Sequence, residues 1–203
     1  MKKKFIGIYN KSEIITLLGL MFAALGIFSS MSGNALYGVF CLMIAGMCDA
    51  FDGVVAKKIS RDKSAEFYGV QLDSLVDIVS FGALPVIIGW SLGNNSAPDV
   101  FIYIFYLCCG VIRLAYFNTL SAERQSKPRY FAGLPITSIS AILPLFYFLF
   151  ERFNFIYGYR LVFLIAGLLY ILNIKIKKPD LVFRIMLCAI GVLVIISTYL
   201  FWG

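Results

Sequence analysis

Long apolar blocks constrain the fold of this chain more than any other feature of its sequence. Of its 203 residues, 61% are hydrophobic and only 14% are charged, whereas soluble globular chains are about 45–50% apolar. A run of about 20 apolar residues crosses the hydrocarbon core of a bilayer as an α-helix. Seven blocks approach or reach this length: Glu13–Ser30, Leu36–Ala56, Val70–Leu92, Val100–Asn118, Leu134–Phe150, Arg160–Ile174 and Leu181–Trp202.

The blocks indicate a membrane protein of the all-α class. Backbone N–H and C=O groups in lipid must bond within their own segment, so we expect each block to be a helix. The sequence therefore predicts one domain over residues 1–203, a polytopic membrane helix bundle with about seven transmembrane helices. The N-terminus, residues 1–9, is basic and mildly apolar, and no small-residue cleavage site follows it. A short interfacial turn of helix is expected there rather than a removed signal peptide.

Positive charge is distributed unevenly over the loops of this topology. The net charge is +7, which in a soluble protein would raise the question of nucleic-acid binding. With the N-terminus in the cytoplasm, fifteen Lys and Arg residues fall on the cytoplasmic side, two on the outer side, and Arg113 within a span. This asymmetry predicts a multi-pass protein of the cell membrane with a cytoplasmic N-terminus. The basic face is expected to attract anionic lipid headgroups, and no nucleic-acid partner is expected.

Four carboxylates lie inside the second and third apolar blocks. Asp49 and Asp52 belong to the second block, and Asp73 and Asp77 belong to the third. Burying a charge in a bilayer costs at least a few kcal/mol, so ionisable residues within spans are functional candidates. At about 100° per residue, the members of each pair share one helix face. Because only a short loop joins the two helices, we expect antiparallel neighbours whose carboxylate pairs meet near the cytoplasmic end.

Such a group of aspartates requires compensation of its charge. Carboxylates in a small volume of low dielectric repel one another unless some are protonated or cations are present. Two divalent ions would neutralise four charges, and oxygen-only ligands suit Mg²⁺ or Mn²⁺. Two such ions promote in-line displacement at phosphorus. The neighbouring Gly53 and Ala56 leave room for a bulky ligand, or else allow close helix packing. A cation pathway through a transporter is the alternative from another class.

The two aspartate pairs are part of a longer motif. The stretch Asp49-Ala-Phe-Asp52-Gly53-Val-Val-Ala56-Lys57, followed by Gly69-Val-Gln-Leu-Asp73-Ser-Leu-Val-Asp77, resembles the signature of the CDP-alcohol phosphatidyltransferases. That signature reads D-x-x-D-G-x-x-A-R, then about eight residues, then G-x-x-x-D-x-x-x-D. This chain departs from it twice. Lys57 stands in place of the Arg, which keeps the charge but loses the bidentate fork, and eleven residues separate Lys57 from Gly69.

The resemblance implies a functional role for several residues between positions 49 and 77. The implied ligands of two divalent ions, Mg²⁺ or Mn²⁺, are Asp49, Asp52, Asp73 and Asp77, and Asp77 would also act as the catalytic base. The implied binding residues for the CDP-lipid are Gly53, Ala56, Lys57, Ser64 and Gly69. The family also implies a core of six helices, with one additional helix here, and a homodimer.

Three further pieces of sequence resemble the phosphatidylserine synthases of this family. They are Asp73-Ser-Leu-Val-Asp77-Ile-Val-Ser80-Phe81-Gly82, Arg113-Leu-Ala-Tyr-Phe-Asn118 and Tyr130-Phe-Ala-Gly133-Leu-Pro135. They imply transfer of a phosphatidyl group from CDP-diacylglycerol to L-serine, with release of CMP. Serine brings a carboxylate that needs a cation, and the candidates are Arg113, Lys127 and Arg129. A sister enzyme with inositol or glycerol 3-phosphate as acceptor, or with an archaeal-type lipid donor, is the alternative within the family.

Overall fold

The computed structural model describes residues 6–59, 62–123, 130–153, 155 and 157–177, and most of them are helical. The α-helices in these ranges are α1 Lys11–Met31, α2 Ala35–Lys58, α3 Lys63–Asp77, α4 Leu84–Ser91, α5 Ala97–Glu123, α6 Ile139–Phe153 and α7 Gly158–Ile171. A π-helical segment, Ile78–Ala83, joins α3 to α4, and a 3₁₀ turn, Ile136–Ser138, leads into α6. Two short strands, β1 Tyr130–Ala132 and β2 Lys175–Lys177, pair antiparallel.

Several of these helices are suited to a bilayer by length and composition. Within the described residues, four helical stretches are long and apolar enough to cross a membrane, namely Lys11–Met31, Ala35–Ala56, Lys63–Ser91 and Ala97–Leu120. Two shorter apolar helices follow, Ile136–Phe150 and Gly158–Ile171. The prediction of an apolar helical bundle is therefore confirmed for the first six blocks. The seventh block, Leu181–Trp202, lies outside the described residues, so the total of seven spans stays a prediction.

The expected interfacial turn of helix at the N-terminus is not found in the part of it that the structure describes. Residues 6–10 are non-helical, and Gly7 has a φ of +126°, which no α-helix accommodates. Helix α1 begins at Lys11, behind Asn10, whose backbone N–H donates to the carboxylate of Glu13 over 3.0 Å. This bond satisfies a donor at the helix start and fixes the boundary there.

Two later regions also differ from the regular helices that the apolar pattern predicted. The third block contains the π-helical segment, and the fifth block begins with two non-helical residues and the 3₁₀ turn before α6. Gly133 has a φ of +75°, and a Cβ added there would lie 2.5 Å from the carbonyl oxygen of Tyr170. Only glycine fits this approach of the chain to the end of α7, and it lies directly before the fifth block.

Helices α1 and α2 form an antiparallel pair held close by small residues. A Cβ added at Gly26 would lie 2.8 Å from Cβ of Cys41, and one added at Gly19 would lie 3.2 Å from Cβ of Cys48. Small residues at such an interface let two helix backbones approach closely. The face of α1 that becomes buried consists of Ser12, Glu13, Thr16, Gly19, Ala23, Gly26 and Ser30. Large apolar side chains of α1, among them Leu18 and Phe28, point outward.

The third span completes the part of the bundle that holds the aspartates. We call the side on which α2 ends and α3 begins the motif side, and the opposite side the far side. Helix α1 packs against both α2 and α3, whereas α2 contacts the third span more at the π-helical segment and α4 than at α3. The expected direct pairing of the second and third helices is thus found toward the far side. On the motif side, α1 is the shared neighbour of both.

Helices α5 and α7 form a second pair. On the far side, the guanidinium of Arg160 donates from Nε to Oδ1 of Asp99 over 2.6 Å, and Asp99 is only 1% exposed. Toward the middle of the pair, the rings of Tyr103 and Phe163 meet edge to face with centroids 5.1 Å apart. The pair therefore has a fixed register, and it carries Arg113 of α5 toward the motif side.

Candidate active site

Three of the four carboxylates converge between α2 and α3. Oxygen atoms of Asp49, Asp52 and Asp73 all lie within 4.8 Å of one another. Asp52 is buried, with 7% of its surface exposed, and the other two are half-buried. The spacing along the sequence predicted this convergence, because each pair of aspartates shares one face of its helix. We refer to Asp49, Asp52 and Asp73 as the carboxylate cluster.

Asp77 lies next to the carboxylate cluster without belonging to it. It is the last residue of α3, one turn beyond Asp73, and it is 7% exposed. Together with the three members of the cluster it lines one small cavity, whose wall also includes Ser80. The four predicted residues therefore share one cavity, in which three carboxylates are grouped and the fourth lies further from the motif side.

Helix α1 supplies residues of this site that the sequence interpretation missed. The hydroxyl of Thr16 donates to Oδ2 of Asp52 over 2.5 Å, and Thr16 and Gly19 line the cavity. Glu13 is 2% exposed, and its Oε2 accepts the hydroxyl of Ser12 over 3.1 Å. A signal for this face was present in the sequence, since polar residues spaced three or four apart in an apolar helix mark one buried polar side.

Two glycines of α2 have different surroundings: one packs against a neighbouring helix, and the other borders open space. A Cβ added at Gly46 would overlap the side chain of Ser140 on α6, with the two Cβ atoms 2.6 Å apart, so this glycine is required for helix packing. A Cβ added at Gly53 would meet no atom within 4 Å among the described residues. Close helix packing at Gly53 is therefore not found among the described residues, and a ligand contact there stays a prediction. Ala56, one turn further on, is half-buried, and Lys57 lies in the last turn of α2.

The remaining candidates for the CDP-lipid are on α3. Ser64 is exposed in the first turn of this helix, whose N-cap Asp62 accepts a hydrogen bond from the backbone N–H of Ala65 over 2.7 Å. Gly69 is half-buried and lies four residues before Asp73, on the same face of the helix. Both positions are thus on the motif side of the carboxylate cluster.

Arg113 is the one acceptor candidate in the part of the chain that the structure describes, because Lys127 and Arg129 lie outside it. Its side chain is 8% exposed, and its guanidinium carbon is 5.7 Å from the ring centroid of Phe117. It is near enough to Asp77 and Asp49 to interact with both electrostatically. Its Nε has no hydrogen-bond partner among the described residues. The structure therefore buries Arg113 within electrostatic range of two of the aspartates, with one donor unpaired among the described residues.

The carboxylate cluster is chemically suited to a divalent cation. Three carboxylates within 4.8 Å of one another supply only oxygen ligands, which hard cations such as Mg²⁺ and Mn²⁺ prefer. The chain contains no His, so a site with imidazole ligands is excluded. Grouped negative charges in a low-dielectric environment also favour a bound cation over an empty cluster.

Comparison with known proteins agrees with this geometry. The family model for CDP-alcohol phosphatidyltransferase matches residues 9–201, which is nearly the whole chain. The chain belongs to the CDP-alcohol phosphatidyltransferase family. The family resemblance of residues 49–77 is thereby confirmed, and the carboxylate cluster lies within the matched region.

Relatives within the CDP-alcohol phosphatidyltransferase family have serine in their names. The chain is 38% identical over 112 residues to CDP-diacylglycerol–serine O-phosphatidyltransferase of Saccharomyces cerevisiae, covering 52% of this chain and 40% of that protein. It is 28% identical over 146 residues to archaetidylserine synthase of Methanothermobacter thermautotrophicus, covering 71% and 60%. It is 29% identical over 168 residues to CDP-diacylglycerol–serine O-phosphatidyltransferase of Bacillus subtilis, covering 82% and 88%. The matched region thus spans less than two thirds of the first two relatives and most of the third.

Proposed function

We propose that this protein transfers a phosphatidyl group from CDP-diacylglycerol to the hydroxyl of L-serine, forming phosphatidylserine and releasing CMP. The observation that carries the proposal is the convergence of Asp49, Asp52 and Asp73 beside Asp77 in a chain of this family. The names of the relatives support serine as the acceptor. We do not propose a cation transporter, the alternative from another class, because the family consists of transferases.

The aspartates have distinct roles in this proposal. Asp49, Asp52 and Asp73 would hold two divalent cations, Mg²⁺ or Mn²⁺, with Asp77 as an additional ligand. When bound, these ions would offset the charge of the pyrophosphate and of the departing CMP. Asp77 would accept the proton of the serine hydroxyl, which is a poor nucleophile until that proton is removed. The hydroxyl oxygen then bonds to the phosphorus that carries the diacylglycerol, and the bond from this phosphorus to the oxygen of CMP breaks.

The CDP-lipid is proposed to enter from the motif side. The open space beside Gly53 and the small side chain of Ala56 would receive the nucleotide. Lys57, Ser64 and Gly69 are the further proposed contacts, with Lys57 providing positive charge for the phosphates. The acyl chains would lie between helices, against apolar side chains that the bundle leaves exposed. This arrangement keeps the reacting phosphorus near the carboxylate cluster.

The acceptor is proposed to bind through its carboxylate to a cation, with Arg113 as the first candidate and Lys127 and Arg129 as the next. Arg113 is buried within electrostatic range of Asp77, and its Nε–H donor has no partner among the described residues. A guanidinium binds a carboxylate with charge-assisted hydrogen bonds. We expect Arg113→Gln to raise the KM for serine by about tenfold or more, since a bond to a charged group is lost. An equal rise in the KM for CDP-diacylglycerol would assign Arg113 to the bundle or the metal site instead.

We also propose the location, membrane orientation, domain extent and oligomeric state of the protein. The Lys and Arg distribution supports a cell-membrane protein with its N-terminus and active site facing the cytoplasm. One catalytic domain over residues 1–203 is proposed, in agreement with the extent of the family match. A homodimer is proposed from the family resemblance alone.

Release of CMP by the purified protein in detergent tests the proposed reaction. CDP-diacylglycerol and Mn²⁺ would be supplied with L-serine, inositol or glycerol 3-phosphate in parallel. Serine-dependent release of CMP is expected. Brisk release with inositol or glycerol 3-phosphate and none with serine would leave the family assignment standing and end the serine proposal. Because one relative is named archaetidylserine synthase, a CDP-activated archaeal ether lipid is the alternative donor in the same assay.

A further inference from the structure

A buried serine hydroxyl in the wall of the aspartate cavity has no hydrogen-bond partner. Ser80 is 1% exposed, and its Oγ makes no hydrogen bond to any described residue. It lies three residues after Asp77 and lines the same cavity. A buried hydroxyl without a partner is costly, and such a group in a native structure calls for an explanation.

The π-helical segment explains why Ser80 is not satisfied within its own helix. In an α-helix, a serine or threonine hydroxyl can donate to the carbonyl four residues earlier. Thr119 donates in this way to the carbonyl of Ala115 over 3.0 Å, and Ser32 to that of Phe28 over 2.9 Å. Ser80 lies within Ile78–Ala83, where the backbone follows a different hydrogen-bond pattern. Its hydroxyl therefore stays available to the cavity.

Other helices hold this segment in place. The hydroxyl of Tyr106 on α5 donates to the carbonyl of Phe81 over 2.5 Å. Tyr106 also contacts the hydroxyl of Tyr170 on α7 over 3.2 Å, and Tyr170 reaches the carbonyl of Ile136 over 3.3 Å. The backbone next to Ser80 is thus held from α5 and does not depend on a hydrogen bond of the Ser80 hydroxyl.

Two buried side chains in this part of the bundle thus have a donor without a partner among the described residues. Ser80 offers an O–H from the third span, and Arg113 offers its Nε–H from α5. Both are donors, and a carboxylate accepts hydrogen bonds from both kinds of group. We propose that Ser80 is a specificity-determining residue whose hydroxyl donates to the carboxylate of a hydroxyl-bearing amino-acid acceptor. This inference rests on the function proposed above and names a contact that selects its acceptor.

Kinetics of Ser80→Ala test the proposed contact. With full-length protein in detergent, the KM for L-serine is expected to rise by about tenfold, since a bond to a charged group is lost. The KM for CDP-diacylglycerol and the affinity for Mn²⁺ are expected to stay within about twofold of the wild-type values. A difference of this size corresponds to small side-chain rearrangements. Should Ser80→Ala fail to fold, Ser80→Cys keeps the size, weakens the donor, and gives the same comparison of KM values.

Ser30→Ala is the matched control. Ser30 is also 1% exposed with an unpartnered hydroxyl among the described residues, but it lies near the far side, against Gly38. This variant should leave both KM values unchanged. An unchanged KM for serine in Ser80→Ala, or an equal rise of both KM values, would refute the proposed role of Ser80. The proposed function itself would still stand. If the wild type uses only acceptors without a carboxylate, the proposed function fails first and this inference fails with it.

Discussion

The hydroxyl oxygen of Thr16 lies 2.5 Å from Oδ2 of Asp52 and so connects α1 to the carboxylate cluster. The hydroxyl has a single proton to donate, and its other possible acceptor, the carbonyl of Ser12, is further away at 3.0 Å. A hydroxyl that donates to a carboxylate forms a short and comparatively strong hydrogen bond. One oxygen of Asp52 is thereby held in position within the carboxylate cluster. Helix α1 contributes no member of the cluster, yet it positions one.

Replacement of Thr16 by valine should weaken metal binding. Thr16→Val keeps the shape of the side chain and removes the donor to Asp52, and loss of such a supporting hydrogen bond costs about 10–100-fold in metal affinity. Titration of the purified protein with Mn²⁺ by calorimetry would measure this directly, without substrate. Thr119→Val is the matched control, because the Thr119 hydroxyl donates only to its own helix at an exposed position. Equal Mn²⁺ affinities in the two variants would contradict the positioning role of Thr16.

The aspartates should separate into two groups by metal binding. Each of Asp49→Asn, Asp52→Asn, Asp73→Asn and Asp77→Asn is expected to lower transfer by about a hundredfold or more, since each removes a ligand or the base. The first three should also lose most of their Mn²⁺ affinity, because they form the carboxylate cluster. Asp77→Asn should retain more of it, because Asp77 lies outside that cluster.

Asp99→Asn provides the control for these substitutions. Asp99 is likewise a buried aspartate within a span, but it is paired with Arg160 on the far side. This variant should unfold at a lower temperature and keep both its Mn²⁺ affinity and its kcat. Normal turnover in any two variants of the four site aspartates would refute their assignment, whatever Asp99→Asn does.

Two glycines of α2 should respond in opposite ways to alanine. Gly53→Ala meets no neighbour within 4 Å, so it should leave stability unchanged or raise it by up to about 1 kcal/mol through helix propensity. If the open space receives the nucleotide, the KM for CDP-diacylglycerol should rise by about tenfold. Gly46→Ala meets Ser140, so it should lower the melting temperature through overpacking. Unchanged kinetics in Gly53→Ala would show that the nucleotide binds elsewhere.

The orientation in the membrane can be tested with single cysteines. In a background from which all five native cysteines are removed, Lys63→Cys on the motif side should react with an impermeant thiol reagent only from the cytoplasm. Asn95→Cys, on the far side, should react only from outside, and both positions are exposed. Reaction of both from one side would contradict the number of spans between them and the assignment of sides.

The aspartate positions could be predicted because helix periodicity alone puts each pair on one face. The role of Thr16 could not, since its bond to Asp52 joins residues 36 positions apart and depends on how closely two helices pack. The π-helical segment could not be predicted from the sequence either, because it has no residue signature and is held by Tyr106 from α5. The pairing of β1 with β2 joins segments separated by the whole of α6 and α7. Contacts of this kind follow from the tertiary arrangement rather than from local pattern.

The order of the site residues along the chain has a consequence for how the protein is made. Thr16, the carboxylate cluster and Asp77 all precede residue 78, so the ligand set is complete when the third span leaves the ribosome. Arg113 and Tyr106 arrive later, with α5. The first half of the polypeptide thus contains the proposed ligand set and Ser80, and the second half adds Arg113, the other proposed contact of the acceptor carboxylate. A substitution at Arg113 can therefore change the acceptor of such an enzyme during evolution while its ligand set stays untouched.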